Sequence, residues 1–181
     1  MNPVKLLKAN PMQPHPNKFT PVLISTVVMT IIAITPFLNF INLGCCAGIM
    51  IGGAAGVVYY NNRLKAIGET VQYKDGAAIG VLSGFITAIV VVIATTLLSM
   101  LVKQNPIPDI YKIIDQSGYP LPPNADEFLR KISDEYSKNG FSITLTIMTL
   151  IIDIVIYPLF GAIGAMLAVA IVGKKKNEQP E

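Results

Sequence analysis

The stretch that decides the fold is GCCAGIMIGGAAG, residues 44–56, in which glycine recurs at every fourth position of an apolar run. The regularly spaced glycines are Gly44, Gly48, Gly52 and Gly56. Residues four apart lie about 40° apart around an ideal α-helix, so these glycines form one gently coiled stripe without side chains. Small residues at this interval let helices approach closely in lipid, where apolar side chains provide little drive for association. The stripe therefore predicts helix packing, provided that the run lies in a membrane.

The composition of the chain favours a membrane location. Hydrophobic residues make up 52% of the 181 residues and charged residues only 14%, against about 25% charged in soluble domains. Three runs hold no Asp, Glu, Lys, Arg or His apart from Asp153, and they are residues 19–60, 76–102 and 141–172. A helix needs about 20 apolar residues to cross a bilayer, so the first run is long enough for a hairpin of two helices. Pro36, Asn39 and Asn42 favour a turn inside it. The four predicted transmembrane helices are about 19–35, 43–60, 76–102 and 141–172.

Basic residues set the expected orientation, because they stay on the cytoplasmic side of a membrane protein. They are concentrated in the arm 1–18, the loop 61–75 and the tail 173–181, which four spans place on one side. We therefore expect a multi-pass protein of the cytoplasmic (inner) membrane with both termini in the cytoplasm. This topology explains the net charge of +3, which therefore does not indicate a nucleic-acid partner. Lysines ahead of an apolar stretch also fit a cleaved signal peptide, but no small-x-small cleavage site follows the first span.

The loop 103–140 is predicted to be extracytoplasmic and to form two short amphipathic helices. Gly118 and Gly140 are their expected stops, and Asn124 followed by Glu127 is typical of a capping box. We expect their apolar face to rest on the membrane surface or on neighbouring span ends, with a docking surface for a partner as the alternative. Spans three and four would measure about 40 and 48 Å as helices, beyond a hydrocarbon core of about 30 Å. They should therefore either tilt strongly or project outward, and projection is favoured because this loop can cover the protruding ends.

The third and fourth spans repeat the pattern of small residues. These residues are Gly76, Gly80, Gly84 and Ala88 on the third span, and Gly161, Gly164, Ala165 and Ala168 on the fourth. Three such faces predict a compact all-α bundle of four transmembrane helices with glycine-zipper packing. The equal intervals favour spans two and three as the central antiparallel contact. Most faces should pack within the chain, which leaves one for a homo-oligomer or a membrane-protein partner.

Asp153 and Pro158 are the candidates for chemistry within the spans. A carboxylate inside an apolar run often marks an ion or proton site. Counting about 20 residues back from the tail lysines places Asp153 at the outer boundary, so an interfacial or hydrogen-bonding role is favoured. Pro158 removes a helix hydrogen bond to Ile154, so we expect a kink that is accommodated by packing, with a hinge at Pro158 as the alternative.

The sequence contains no motif for catalysis, a cofactor or a metal. Cys45 and Cys46 are adjacent and lack further Cys or His ligands at metal spacing. Small apolar packing residues are their default role, and an intermolecular disulfide is the alternative. No nucleophile with a positioned base and no phosphate-cradling loop occurs. We therefore expect no enzyme, no catalytic residue, no cofactor and no metal site.

Three segments carry a family likeness across most of residues 36–176. They are PFLNFINLGCCAGIMIGGAAGVVYY, YKDGAAIGVLSGF and FGAIGAMLAVAIVGKKK. Their glycine patterns resemble those of uncharacterised bacterial small multi-pass membrane families of the domain-of-unknown-function type. This resemblance implies a four-helix membrane protein with a charged loop before the last span, and it carries over no catalytic residue.

The chain contains many small residues at helix-packing intervals and few residues that could carry out catalysis or bind an ion. We therefore expect a structural, assembly or accessory role, exercised in the lipid bilayer through helix packing and the extracytoplasmic loop. A small transporter or channel subunit that uses Asp153 and the Pro158 kink is the alternative. A membrane-embedded enzyme would need polar side chains clustered around an inner cavity.

Overall fold

A computed structural model of the chain describes residues 16–35, 46–102, 105–118 and 120–174. Every regular element in these ranges is an α-helix, which confirms the all-α prediction. The helices are α1 (Phe19–Ile34), α2 (Ala47–Lys65), α3 (Tyr73–Val102), α4 (Ile107–Ser117), α5 (Pro123–Asn139) and α6 (Ile143–Lys174). Two of them, α3 and α6, are long and apolar enough to cross a membrane. Helix α1 is apolar but shorter, with 16 residues.

Helix α2 extends further into the predicted loop 61–75 than the sequence indicated. It ends at Lys65 rather than near Tyr60. Two residues beyond Tyr60 explain the extension, because Asn61 and Leu64 are both buried. The Asn61 side-chain oxygen accepts a hydrogen bond from the backbone N–H of Val71, at 3.4 Å. The connection to α3 is correspondingly short.

The two helices between α3 and α6 end where the sequence predicts. Gly118 and Gly140 follow α4 and α5 with φ values of 70° and 77°, a left-handed conformation that glycine adopts without steric cost. The predicted capping box at Asn124 is wrong. Helix α5 begins at Pro123 after an N-cap at Pro122 that makes no side-chain capping bond. Proline at the first helical position has a fixed φ and no N–H to satisfy, so the helix starts there without a cap.

Helices α1, α2, α3 and α6 form a bundle and alternate in direction. Gly52 of α2 faces Met29 of α1 and Gly56 faces Ser25, so these two helices run antiparallel. The hydroxyl of Thr26 donates to the carbonyl of Ser83, and Lys18 at the start of α1 pairs with Asp75 in the first turn of α3 at 2.7 Å. These contacts bring the start of α1, the end of α2 and the start of α3 to one end of the bundle. We call this end the basic end.

The outer faces of α3 and α6 are apolar along most of their length. Large exposed side chains run from Leu82 to Val102 on α3 and from Ile143 to Ile171 on α6. The α6 series spans about 42 Å at 1.5 Å per residue. An exposed apolar surface of this extent marks contact with lipid or with another protein. The buried core lies inside this belt, in one cluster around Val57 and Ile79 and a second around Met29 and Tyr157.

Candidate functional site

The most extensive helix contact in the described part of the chain joins α3 and α6. A Cβ atom added at Gly80 would lie 2.7 Å from Cα of Ala162, and one at Gly84 would lie 2.5 Å from the backbone nitrogen of Pro158. Real Cβ atoms essentially never come this close to backbone atoms. The two main chains therefore touch at these positions. We call this contact, which extends from Gly76 beside Val169 to Gly84 beside Pro158, the α3–α6 seam.

The predicted central contact between the second and third spans is wrong. The glycine stripe of α2 faces α1, where Gly52 accommodates the Met29 side chain and Gly56 accommodates Ser25. The stripe of α3 faces α6 instead of α2. Helix α6 supplies Gly161 opposite Gly80, so small residues meet on both sides of the contact. That arrangement brings two backbones closer than a glycine opposite a large side chain does.

The predicted packing residues lie in the buried parts of the helices, with one exception that the structure does not describe. Gly44 lies outside the described residues. The others are all buried, and they are Gly48, Gly52, Gly56, Gly76, Gly80, Gly84, Ala88, Gly161, Gly164, Ala165 and Ala168. Gly53 was not among the predicted packing residues, although a Cβ added there would meet the carbonyl of Gly161. The signal was available as the Gly52–Gly53 pair, because two adjacent glycines offer close approach on two faces of one helix.

Asp153 lies at the level where the four-helix section ends. Its neighbours in sequence, Ile154 and Tyr157, pack in the cluster that includes Ala33 from the last turn of α1 and Cys46 just before α2. Asp153 itself is half-buried. Among the described residues it has no hydrogen-bond or ion-pair partner. Its assignment as a candidate ion or proton site stays a prediction.

Pro158 lies inside a helix that continues without interruption from Ile143 to Lys174. Its backbone occupies the space where a side chain at Gly84 would otherwise lie, and Pro158 is buried. The lost hydrogen bond of the proline therefore falls within the α3–α6 seam. Its predicted role as a hinge is not tested by this geometry.

One carboxylate fixes the segment between α3 and α6 to the start of α6. Glu135 of α5 accepts hydrogen bonds from the hydroxyls of Ser142 and Thr144, both at 2.6 Å, and from the backbone N–H of Thr144 at 2.9 Å. These bonds lower the pKa of Glu135 to about 2. A negative charge at a helix N-terminus also complements the helix dipole. We call this arrangement the Glu135 clamp.

Helices α4 and α5 form a small unit of their own, which we call the cap. The Tyr111 hydroxyl donates to Asp126 at 2.8 Å, and the Asn105 amide donates to Ser133 at 3.0 Å. The hydrogen bond to Asp126 raises the pKa of Tyr111 above its ordinary value. Ile107 and Ile132 are each only 1% exposed. The cap is therefore tied together by both apolar and polar contacts.

Part of the apolar surface of the cap is exposed, and so are the ends of α3 and α6 next to it. Ile113 of α4 is 66% exposed, and Leu101 in the last turn of α3 is 80% exposed. The expectation that the loop covers the protruding ends of spans three and four is therefore wrong for their outward faces. On one side, Tyr136 of the cap and Phe141 border a hydroxyl-rich cleft together with Thr95 of α3 and Thr146 of α6.

The described residues hold no cluster of three or more potential metal ligands. Cys46 precedes α2 with a left-handed backbone, at φ 57°. Cys45 lies outside the described residues, so the predicted packing role of the cysteine pair stays a prediction. At the basic end, the hydrogen bond with Asp75 raises the pKa of Lys18 above its ordinary value. This pair links two helix starts and indicates no reaction.

Comparisons with known proteins add no further constraint. No protein-family model, no curated protein and no solved structure matches the chain.

Proposed function

We propose that this chain is a four-span protein of a bacterial cytoplasmic membrane, of the domain-of-unknown-function type. Both of its termini lie in the cytoplasm, and it acts as a structural, assembly or accessory subunit. Its helices pack through glycine zippers, and the cap meets an extracytoplasmic partner. The observation that carries this proposal is the combination of a seam in which backbones touch with a cap that is clamped in place yet exposes apolar surface.

The alternating directions of α1, α2, α3 and α6 support four spans rather than two. Helix α1 packs lengthwise on both α2 and α3, and its exposed residues Val27 and Ile31 are as apolar as those of α3. The basic end carries Lys18, Lys65 and Lys74. The rule that basic residues remain inside then assigns this end to the cytoplasm and the cap to the opposite side.

The cap supports a binding role rather than a catalytic one. The Glu135 clamp holds α5 against α6, so the orientation of the cap is set by the membrane-embedded bundle. Helix α4 presents Ile113 to the outside, and its isoleucine neighbour Ile110 is 36% exposed. A positioned apolar patch with a charged surround is typical of a protein contact.

Site-specific photocrosslinking tests the proposed role. A photoreactive phenylalanine analogue at Ile113, 66% exposed on the cap, is expected to give one discrete adduct with another membrane or envelope protein in the native host. The matched control replaces Ile151, 61% exposed on the outer face of α6, and should give no protein adduct because this face meets lipid. The absence of a protein adduct from Ile113 and from a second cap position, Lys131, would contradict the proposal.

A transporter or channel subunit is the second candidate, and it is favoured by Asp153, which has no hydrogen-bond or ion-pair partner among the described residues. Under our proposal, Asp153→Asn preserves or raises stability, because it removes a half-buried charge that no described residue pairs. The variant should also leave ion and proton permeability of proteoliposomes at the background of empty vesicles, like the unmutated protein. A reproducible flux through the unmutated protein that Asp153→Asn abolishes, with folding intact, would replace the assembly role by transport.

A further inference from the structure

The hydroxyl-rich cleft beside the cap continues into a wider outer part. Its inner part has a volume of about 160 Å³ and is lined by four threonines, two from α3 and two from α6. They are Thr95, Thr96, Thr146 and Thr149. The outer part has a volume of about 470 Å³ and is bordered by Leu98 and Asp109. Ser99 and Tyr136 line both parts, so the two parts adjoin, and we call them together the hydroxyl cleft.

The hydroxyls of this cleft present hydrogen-bond acceptors. Thr95, Ser99 and Thr146 each donate their single hydroxyl proton to the carbonyl four residues earlier in the chain, at 2.8, 2.9 and 2.8 Å. Because the proton is engaged there, each hydroxyl oxygen offers a ligand its lone pairs. A ligand that these hydroxyls bind must therefore be a hydrogen-bond donor.

The charge of the lining favours a cation. Asp109 is the one charged residue among the described residues that line the hydroxyl cleft. Lys112 pairs with its Oδ1 atom at 2.9 Å, but the side chains of Asp109 and Lys112 are 69% and 72% exposed, and solvent weakens an ion pair of this kind. A positively charged donor is therefore attracted to the cleft, whereas a phosphate meets no described lysine or arginine in its lining.

Under the proposed topology, the cleft lies near the headgroup layer of the outer leaflet. Thr149 and Thr146 precede Asp153 by four and seven residues, which is about 6 and 10 Å along a helix. The count from the tail lysines puts Asp153 at the outer boundary of the hydrocarbon core, and headgroups extend about 5–8 Å beyond that core on each side. A lipid headgroup can therefore reach the cleft from the bilayer.

We propose that the hydroxyl cleft binds the primary ammonium group of an aminophospholipid in the outer leaflet. An ammonium group carries three N–H donors and no acceptor, which complements the hydroxyl oxygens of Thr95, Ser99 and Thr146. The carboxylate of Asp109 attracts its charge, and the acyl chains stay in the bilayer. This inference rests on the proposed membrane topology, and it adds a lipid ligand at a surface separate from the exposed Ile113.

Native mass spectrometry of the full chain tests the proposal. The protein is released from detergent micelles that contain equal amounts of phosphatidylethanolamine and phosphatidylcholine with identical acyl chains. Both headgroups carry one positive charge, but the quaternary ammonium of phosphatidylcholine has no N–H to donate. The unmutated protein is expected to retain about tenfold more phosphatidylethanolamine, as the loss of a hydrogen bond to a charged group predicts. Equal retention of the two lipids would overturn the proposal.

Removing hydroxyls separates hydrogen bonding from charge. Thr95→Val combined with Thr146→Val keeps the branched shape of both side chains and should bring the retention of the two lipids close to equality. The hydroxyl bonds that are lost are local to one helical turn, so the bundle should keep its fold. Ser137→Ala is the control, because Ser137 makes the same kind of bond at 2.9 Å but lies exposed on α5 outside the cleft. An unchanged preference in the double threonine variant would contradict the site.

A substitution at the outer part of the cleft leaves the bundle untouched. Asp109→Asn should lower the amount of phosphatidylethanolamine retained, and Asp115→Asn, exposed on the same helix but not part of the lining, should not. Equal retention by these two variants would contradict the proposal. Free ethanolamine at millimolar concentration should leave the retained lipid in place, and displacement of the lipid would overturn an aminophospholipid as the ligand.

Membrane extraction distinguishes failure of this inference from failure of the proposed function. If alkaline carbonate releases the chain from membranes, it is not an integral protein and both proposals fail. If the chain stays in the membrane but shows no preference between the two lipids, only the lipid site is wrong.

Discussion

Replacing Gly80 by alanine is expected to lower the free energy of unfolding by about 2–3 kcal/mol, at the upper end of the range for overpacking. The new Cβ would lie 2.7 Å from Cα of Ala162 and also against the carbonyl of Gly161. Both are backbone atoms, so relief requires α3 and α6 to move apart along the seam. Gly80→Leu should prevent the bundle from assembling. Reversible unfolding in mixed micelles of a mild detergent and sodium dodecyl sulfate measures the difference.

Two other glycines provide matched controls for this result. The Cβ of Gly76→Ala would meet a methyl group of Val169, at 2.6 Å, rather than backbone, so this variant should lose less stability than Gly80→Ala. Gly173→Ala meets nothing within 4 Å and should be neutral. Equal stability of the Gly80, Gly76 and Gly173 variants would show that the seam does not hold the bundle together.

Replacing Glu135 by alanine is expected to detach the cap from α6. The change removes the acceptor for Ser142 and for both the hydroxyl and the N–H of Thr144, and it leaves the first turn of α6 with an unsatisfied donor. Hydrogen exchange should accelerate across residues 123–146 and remain unchanged in the seam. Glu127→Ala, on the exposed side of α5, is the control. Unchanged protection in Glu135→Ala would contradict the clamp.

The Glu135 clamp also predicts how the cap responds to pH. The pKa of Glu135 is about 2 in the folded chain, below its ordinary value of 4.5. A lowered carboxyl pKa contributes stability that is complete above the ordinary value and is lost as the pH falls through the folded value. The cap should therefore stay docked at pH 4 and loosen as the pH approaches 2. Titration of the Thr144 amide resonance reports it, and a midpoint near 4.5 would contradict this prediction.

The helices of this fold could be predicted from the sequence because their signals are local. Runs without charges, together with Gly118 and Gly140, were enough to define most helix bounds. Helix pairing was not predictable, because three helices carry small residues at the same interval and the interval contains no information on partners. The decisive difference is that Gly80 and Gly161 are glycines opposite each other, which depends on the register between distant segments.

The candidate site shows the same division between local and distant signals. Ser142 before an apolar run is a recognisable N-cap, and its hydroxyl does accept the N–H of Leu145. The role of Glu135 was not predictable, because the intervening turn at Gly140 brings this carboxylate back to the start of α6. A count of residues from the tail lysines predicts Asp153 at the outer boundary, but the neighbours at that level, Ala33 at the end of α1 and Cys46 before α2, could not be predicted because they come from distant segments.

Labelling from outside the cell tests the central claim of four spans most directly. In a chain with Cys45→Ala and Cys46→Ala, single cysteines replace Asn39 in the predicted first turn, Lys131 in the cap and Lys65 at the basic end. A membrane-impermeant maleimide applied to intact spheroplasts is expected to label the cysteines at 39 and 131, and to reach position 65 only after permeabilisation. Labelling at 131 but not at 39 before permeabilisation would contradict the account, because only α3 and α6 would then cross the membrane.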